Sequence, residues 1–408
     1  MRIAVVGASA AGVAAAEALR RFGWDGELTL IGAESHVPYD RLPLSKRFLS
    51  GAWTQERLRL RDAEQLDRLG LDLRLATLAT ALDPTDRTLT LHTGERLRCA
   101  GVIVATGGRA RTLPGAEGLT GVHTLRTLDD AHALRTLLRA AEHLGIVGNG
   151  VLGTEAAAVA RELGVEVTLI GRTPLPMSRL LGDEAAALLA RYHRTHGVRQ
   201  LASKSAEFDS ARGRLTGLRL DDGTRLATDS VLLAVGARPN TEWLPGSWDT
   251  SDGLLCDEYC AAAPGIYAAG DVARWHHPVH GRAIRVEHRT NATEQALAAA
   301  RNLLAELRGQ PRQPFSPVPY FWSDQYDLKI QGYGLLADPD SVELAVQGDG
   351  SPRLAALHGR AGLATGVLAV NLPPRQLRDL RSLIVTPTPW RQARARFLDA
   401  VTPTDGPG

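Results

Sequence analysis

The chain has 408 residues, more than one hydrophobic core usually serves, so two or three domains are expected. A hydrophobic share of 44% with 23% charged residues fits an ordinary globular protein, and a formal charge of +2 excludes a global attraction to nucleic acid or membrane. No uninterrupted apolar run approaches spanning length, and the first strand-like run starts at Arg2, leaving no room for a leader. The cysteines Cys99, Cys256 and Cys260 are too few for a disulfide framework, so the sequence reads as cytoplasmic.

The run RIAVV opens the chain and leads into Gly7, Ser9, Gly12, Ala16 and Gly23. The same spacing recurs, position for position, as Gly148, Gly150, Gly153, Ala157 and Gly164 after the run HLGIV. Each copy opens an alanine-rich helix and reaches a second apolar run, LTLI or VTLI. This predicts two βαβ units, each with a glycine turn that lets a pyrophosphate approach backbone N–H groups at a helix start.

Between the copies lie a loop over 36–49 containing PYDRLPLSK, short β-like segments over 57–98, and VIVATGGRARTLPG, which ends at a boundary near Pro114. The second unit spans about 115–235 and closes with SVLLAVGARPN. GIYAAGDVA follows, then a helix from Asn291 to about Leu307 and a proline-rich stretch, 311–319, that reads as a linker. The runs LKIQGYG, VELAVQG and ATGVLAVN and a helix near 374–384 suggest a closing α+β domain. The order also suggests that the second nucleotide domain interrupts the first.

A carboxylate after the second strand of such a unit binds the adenosine ribose. Glu34 stands there in the first copy. The second copy reads VTLIGRT, with Gly171 and Arg172 where an acid would sit. Arginine accepts a 2′-phosphate, so tolerance of NADPH, or a preference for it, is expected.

The segments GASAAG, PYDRLPLSK, VIVATGGRAR, HTLRTLDDA, VGNGVLGTE, AVGARPN, GIYAAGDVA, VEHRTNATEQ and PYFWSDQYDLKIQG together resemble the FAD-dependent NAD(P)H:ferredoxin reductases, the group of putidaredoxin, rhodocoxin and rubredoxin reductases. The resemblance runs essentially end to end. It implies an α/β fold with two Rossmann-like dinucleotide-binding domains of the glutathione-reductase kind and a smaller α+β C-terminal domain. The FAD-binding domain would be 1–113 plus 240–316, the NAD(P)-binding domain 114–239, and the last domain 317–408.

By that resemblance Gly7, Ser9, Ala11 and Gly12 line the FAD pyrophosphate and Glu34 takes its ribose. Arg41 and Pro43 flank the flavin nucleotide, Lys46 lies beside the isoalloxazine, and Arg126 reaches the FAD phosphates. Asp271 binds the ribityl chain, Val286 and Glu287 face the flavin ring, and Trp322 covers it. Thr106 and Gly236 join the cofactor set. Gly148, Gly150, Gly153 and Glu155 cradle NADH or NADPH, with Arg172 at its ribose. Lys46, Glu287 and Trp322 are the candidates nearest the chemistry. Two departures stand out: Ser9 replaces the middle glycine, and Arg289 stands where many relatives carry an aromatic residue.

Cys256 and Cys260 lack Cys-x-x-Cys spacing and read as structural thiols, so electrons are expected to leave the flavin directly. The implied acceptor is a [2Fe–2S] ferredoxin that feeds an oxygenase, such as a haem-thiolate monooxygenase. An NAD(P)H oxidase, a reductase of another acceptor, or a non-catalytic redox-signalling flavoprotein are the alternatives. No metal site is expected, because His276, His277 and His280 fall in an apparent loop without a clean ligand set. Arg375, Arg378, Arg381, Arg391, Arg394 and Arg396, with Arg285 and Arg289, are the candidate basic faces for an acidic ferredoxin. The assembly is expected to be a monomer or a homodimer.

Overall fold

The structure is a computed structural model that describes residues 1–337, 339–347 and 352–401. The chain forms two compact units. The first comprises Met1–Leu42, Thr54–Arg109 and Ala237–Pro317; the second comprises Pro43–Trp53, Ala110–Gly236 and Val318–Gly408.

In the first unit, six strands lie in the order Ala261–Ala263, Ile266–Ala268, Gly101–Val104, Arg2–Val6, Glu27–Ile31, Asp72–Arg74. All neighbours run parallel except the edge strand Ala261–Ala263. A parallel sheet is covered on both faces, which is why its strands are continuously apolar rather than alternating. Ile3, Val5, Leu30, Val102 and Ile103 have no exposed surface. Strand order reverses between Arg2–Val6 and Gly101–Val104, and ligands of such sheets bind beyond the carboxyl ends at that reversal. The strand after residue 260 completes a sheet begun at residue 2, so the chain leaves this unit and returns to it.

Helix Ala10–Arg21 packs on helix Arg289–Leu307, and both are rich in buried alanine, which lets helix axes come close. The stretch 311–319, expected as a linker, is anchored up to the end of the unit. Phe315 is buried, its N–H donates to Glu258 O at 2.8 Å, and Trp275 Nε1 donates to Phe315 O at 3.1 Å. His276 and His277 also depart from expectation, lying in strand Ala273–His277 rather than in a loop. Trp275, fully buried, fixes that strand from within.

The second unit holds a parallel sheet in the order Val198–Ala202, Glu166–Gly171, His143–Val147, Val231–Leu233, Val122–His123. It also holds an antiparallel sheet in the order Tyr320–Gln325, Leu328–Gly334, Leu363–Val370, Arg353–Arg360, Ser341–Gln347. The central strands of the second sheet are buried on both sides. Leu354, Ala356, Leu368 and Val370 pack toward Ala186 and Leu189 of helix Asp183–Thr195. The alternate residues Ala355, Leu357 and Val367 meet Leu380 and Phe397 of helices Pro374–Ser382 and Trp390–Val401. Burial on both faces erases the alternation that marks a half-exposed strand. Strand Arg353–Arg360 and the last helix therefore lay outside the sequence expectation. Among the described residues, no helix is long and apolar enough to cross a membrane.

Candidate functional site

The two glycine turns are built alike. Gly7 has φ +120° and Gly148 φ +116°, backbone that an L side chain rarely adopts. A Cβ on Gly7 would lie 2.1 Å from Ala105 O, and one on Gly148 would lie 2.1 Å from Ala234 O. Gly12 packs as tightly on Gly7 O (1.7 Å for an added Cβ) as Gly153 does on Gly148 O (1.9 Å). The middle position is different: a Cβ on Gly150 would meet nothing within 4 Å, so Ser9 fits its place without distortion. Ser9 and Gly150 are the N-caps of helices Ala10–Arg21 and Val151–Glu162, with no side-chain cap on the orphan N–H groups. Each turn is thus a backbone cradle with a positive helix end, which fits a pyrophosphate. Ala11, in the first turn of its helix, is buried.

Other predicted residues of the first unit gather near the carboxyl ends of its sheet. Glu34, the acid expected at the ribose, pairs with Arg41 and accepts a 2.5 Å hydrogen bond from Tyr39 OH, so two neighbours orient its carboxylate. Thr106 Oγ1 donates to Asn240 O at 2.8 Å, and Asn240 Nδ2 donates back to Thr106 O at 2.9 Å. Asp271 follows Gly270, whose N–H donates to buried Gln295 Oε1 at 2.9 Å. Asn291 Nδ2 donates to Val286 O at 3.2 Å and to Gln295 Oε1 at 3.4 Å, tying the 286 segment to the same helix. That helix begins at Arg289, with His288 as N-cap, so Val286 and Glu287 precede it.

Glu287 pairs with Arg285, which also holds Asp252 at 2.9 Å. Arg289 Nε reaches both Asp40 oxygens at 3.2 Å. Both arginines proposed as part of a basic face are therefore occupied within their own unit.

In the second unit, Lys46 belongs to the short segment from Pro43 to Trp53; Pro43 itself is buried. Lys46 Nζ lies 3.1 Å from Glu155 Oε1 and 3.6 Å from Asp324 Oδ2. Glu155 is buried one turn into the helix that Gly150 caps. It also accepts from Ser45 Oγ and Ser323 Oγ, each at 2.6 Å. Burial pushes its carboxyl above the ordinary range, while Lys46 and the two hydroxyls pull it back.

The network continues: Gln325 Nε2 donates to Ser323 Oγ at 3.0 Å and Thr154 Oγ1 at 2.9 Å, and Gln325 Oε1 faces His193 Nε2 at 2.8 Å. Burial lowers His193 to about 4, so it is neutral near pH 7 and Nε2 can donate to the amide oxygen. One line of donors, from His193 through Gln325 and Ser323, then ends on the Glu155 carboxylate. Trp322, on the strand carrying Ser323 and Gln325, is half-buried and stacks on Tyr320 at 5.5 Å. Arg126 precedes helix Leu128–Leu138, where Thr127 and Asp130 form a capping box; Asp130 Oδ2 also accepts Arg126 N–H at 2.9 Å. Gly236, at φ +97°, accepts from Arg111 N–H at 2.9 Å. Arg172 is exposed just past the strand Glu166–Gly171.

Ser45, Ser323, Gln325, His193, Asn291 and Gln295 were not singled out in the sequence, although PLSK, FWSDQYD and HRTNATEQ contain five of them. All three cysteines are buried and free. Burial raises the Cys99 thiol to about 11 and both Cys256 and Cys260 well above the ordinary thiol range, so none is a ready thiolate.

The chain matches the family described as Pyridine nucleotide-disulphide oxidoreductase over residues 1–296 and a Reductase C-terminal family over 320–403. It is 37% identical over 406 residues to the 5,5'-dehydrodivanillate O-demethylase ferredoxin reductase subunit of Sphingobium sp., covering 98% of this chain and 96% of that protein. Rhodocoxin reductase of Rhodococcus erythropolis is 33% identical, with 98% and 93% covered. The crystal structure of the covalent putidaredoxin reductase–putidaredoxin complex aligns with a TM-score of 0.88 at 29% identity, covering 98% and 99%. With its paired glycine cradles and its Reductase C-terminal segment, the chain belongs to the pyridine nucleotide-disulphide oxidoreductases, among the FAD-dependent ferredoxin reductases.

Proposed function

We propose that this protein is an FAD-dependent NAD(P)H:ferredoxin reductase, passing electrons to a [2Fe–2S] ferredoxin that serves an oxygenase, and that it works in the cytoplasm. The observation that carries the reading is the duplicated cradle, Gly7–Gly12 and Gly148–Gly153, in a chain whose thiols are all buried. Two dinucleotides fit two cradles, and no accessible dithiol stands ready as an intermediate carrier.

FAD, when bound, supplies two-electron acceptance from NAD(P)H and one-electron release to the ferredoxin. The protein's part is orientation and electrostatics. Gly7, Gly12 and the uncapped start of helix Ala10–Arg21 would hold the FAD pyrophosphate, with Glu34 at the ribose. Gly148, Gly153 and the start of helix Val151–Glu162 would hold the nicotinamide nucleotide. Lys46 is kept in one place by Glu155, which Ser45 and Ser323 fix in turn; a cation there favours negative charge developing on a nearby ring.

Anaerobic addition of NAD(P)H to the yellow protein should bleach the flavin band, and a [2Fe–2S] ferredoxin should restore it rapidly. A polypeptide that stays colourless after incubation with FAD would refute the reading. Reoxidation by air alone, with ferredoxin making no difference, would favour an oxidase.

A further inference from the structure

We propose that the second dinucleotide site selects NADPH, with the 2′-phosphate held by Arg172 and Lys204 beyond the ends of two neighbouring strands. The proposal rests on the reductase reading and names its electron donor.

The two copies can be set in register by one shared hydrogen bond. Gly7 N–H donates to Ile31 O at 2.7 Å, and Gly148 N–H donates to Ile170 O at 2.8 Å. Residues 171–173 therefore correspond to 32–34, and the place of the ribose acid Glu34 is taken by Thr173. No carboxylate occupies 171, 172 or 173.

An acid at the last position of the strand is also sterically barred. Gly171 is buried, and a Cβ there would lie 2.0 Å from the Asn149 side chain. Asn149 cannot easily yield, because its Nδ2 donates to Thr173 O at 2.9 Å and to Leu175 O at 3.4 Å. The side chain that braces this corner fills the volume a ribose-binding acid at 171 would need.

Positive charge stands there instead. Arg172 is exposed, and among the described residues no ion pair involving it is formed. The adjacent strand Val198–Ala202 runs parallel, with Ala202 opposite Gly171, and Ser203 N–H donates to Gly171 O at 2.8 Å. Exposed Lys204 thus leaves the sheet beside Arg172. Asp221, the nearby carboxylate, accepts from Ser203 Oγ at 2.6 Å and from Lys204 N–H at 3.0 Å, one oxygen each, and so fixes the Lys204 backbone.

A guanidinium suits a phosphate dianion through paired hydrogen bonds, and an ammonium adds a compact charge. NADH offers this corner only a diol, with no acid at 171–173 to receive it. The same geometry that gains contacts with NADPH therefore leaves NADH under-held.

The test combines turnover with binding. For the FAD-loaded native enzyme, kcat/KM for NADPH should exceed that for NADH at least about tenfold, as one charge-assisted contact allows. Arg172→Ala should lower the NADPH value about tenfold more than the NADH value, and Lys204→Ala should act in the same direction with a smaller factor. Calorimetric titration with 2′,5′-ADP needs no turnover: the native protein should bind it more tightly than 5′-AMP, and Arg172→Ala should narrow the difference about tenfold. A native preference for NADH, or 2′,5′-ADP held equally by native and Arg172→Ala proteins, overturns the proposal. Failure of the reductase reading would show separately, as loss of turnover with both nucleotides while the titration still decides the site.

Discussion

Replacing Lys46 with methionine asks whether Glu155 is held as a buried anion. Nζ stands 3.1 Å from Glu155 Oε1, and the two side chains are only 11% and 6% exposed. Removing one partner of such a pair strands the other charge, at a cost of about 3–5 kcal/mol. The Ser45 and Ser323 hydroxyls stay in place at 2.6 Å each, so the lower end, about 3 kcal/mol at neutral pH, is expected. Burial already raises the Glu155 carboxyl, and Lys46 is the largest influence opposing it, so the variant's carboxyl should rise further. A carboxyl raised by folding has its full stability below the unfolded pKa and loses stability as pH climbs toward the folded one. The deficit of Lys46→Met should therefore be small near pH 5 and grow toward pH 8. Urea unfolding followed by circular dichroism at both pH values measures it. Adding Glu155→Gln to the same variant should recover most of the loss. An identical deficit at both pH values, unrelieved by the second substitution, would refute the buried-anion account.

Alanine at Gly153 should weaken nicotinamide-nucleotide binding while FAD stays bound, and alanine at Gly12 should do the reverse, since each Cβ would sit within 2 Å of a carbonyl oxygen of its own turn; titration and flavin content check both. Burial lowers His193 and His288 to about 4, so their contribution is complete above the unfolded value near 6.5 and is lost as pH falls toward 4. His193→Gln should flatten the fall in stability across that window by up to about 1.4 kcal/mol per pH unit, measured by unfolding at stepped pH. Native protein should react slowly with a thiol-titrating disulfide reagent and expose three thiols once unfolded, and serine at both Cys256 and Cys260 should leave ferredoxin-dependent turnover unchanged. Ferredoxin reduction should slow as ionic strength rises while reduction of a small neutral dye does not, which stopped-flow rates will show.

The glycine turns were legible because a hard steric rule stands behind them: a Cβ at Gly7 or Gly148 would enter a carbonyl oxygen, so the residue type reports the geometry. The parallel sheets were legible as uninterrupted apolar runs. The Glu155 network was not, because Ser45, Glu155 and Ser323 are separated by 110 and 168 residues in sequence and meet only through tertiary packing. Arg285 and Arg289 show a related limit. Charge composition shows cations, but not the Asp252, Glu287 and Asp40 carboxylates that fold against them. The stretch 311–319 has linker composition, but buried Phe315, the paired Asn302–Gln313 hydrogen bonds and the Arg312–Asp257 ion pair, none of them visible in composition, pin it.

The unfilled space beside Gly150 separates two demands that a three-glycine signature runs together. Its outer members answer to the chain's own carbonyls and leave evolution no choice. The central one answers only to whatever molecule is docked there. Searches that insist on glycine at that point will pass over genuine nucleotide folds, as Ser9 illustrates. A side chain at this single position leaves the fold of the turn as it is, because no atom of the protein stands in its way.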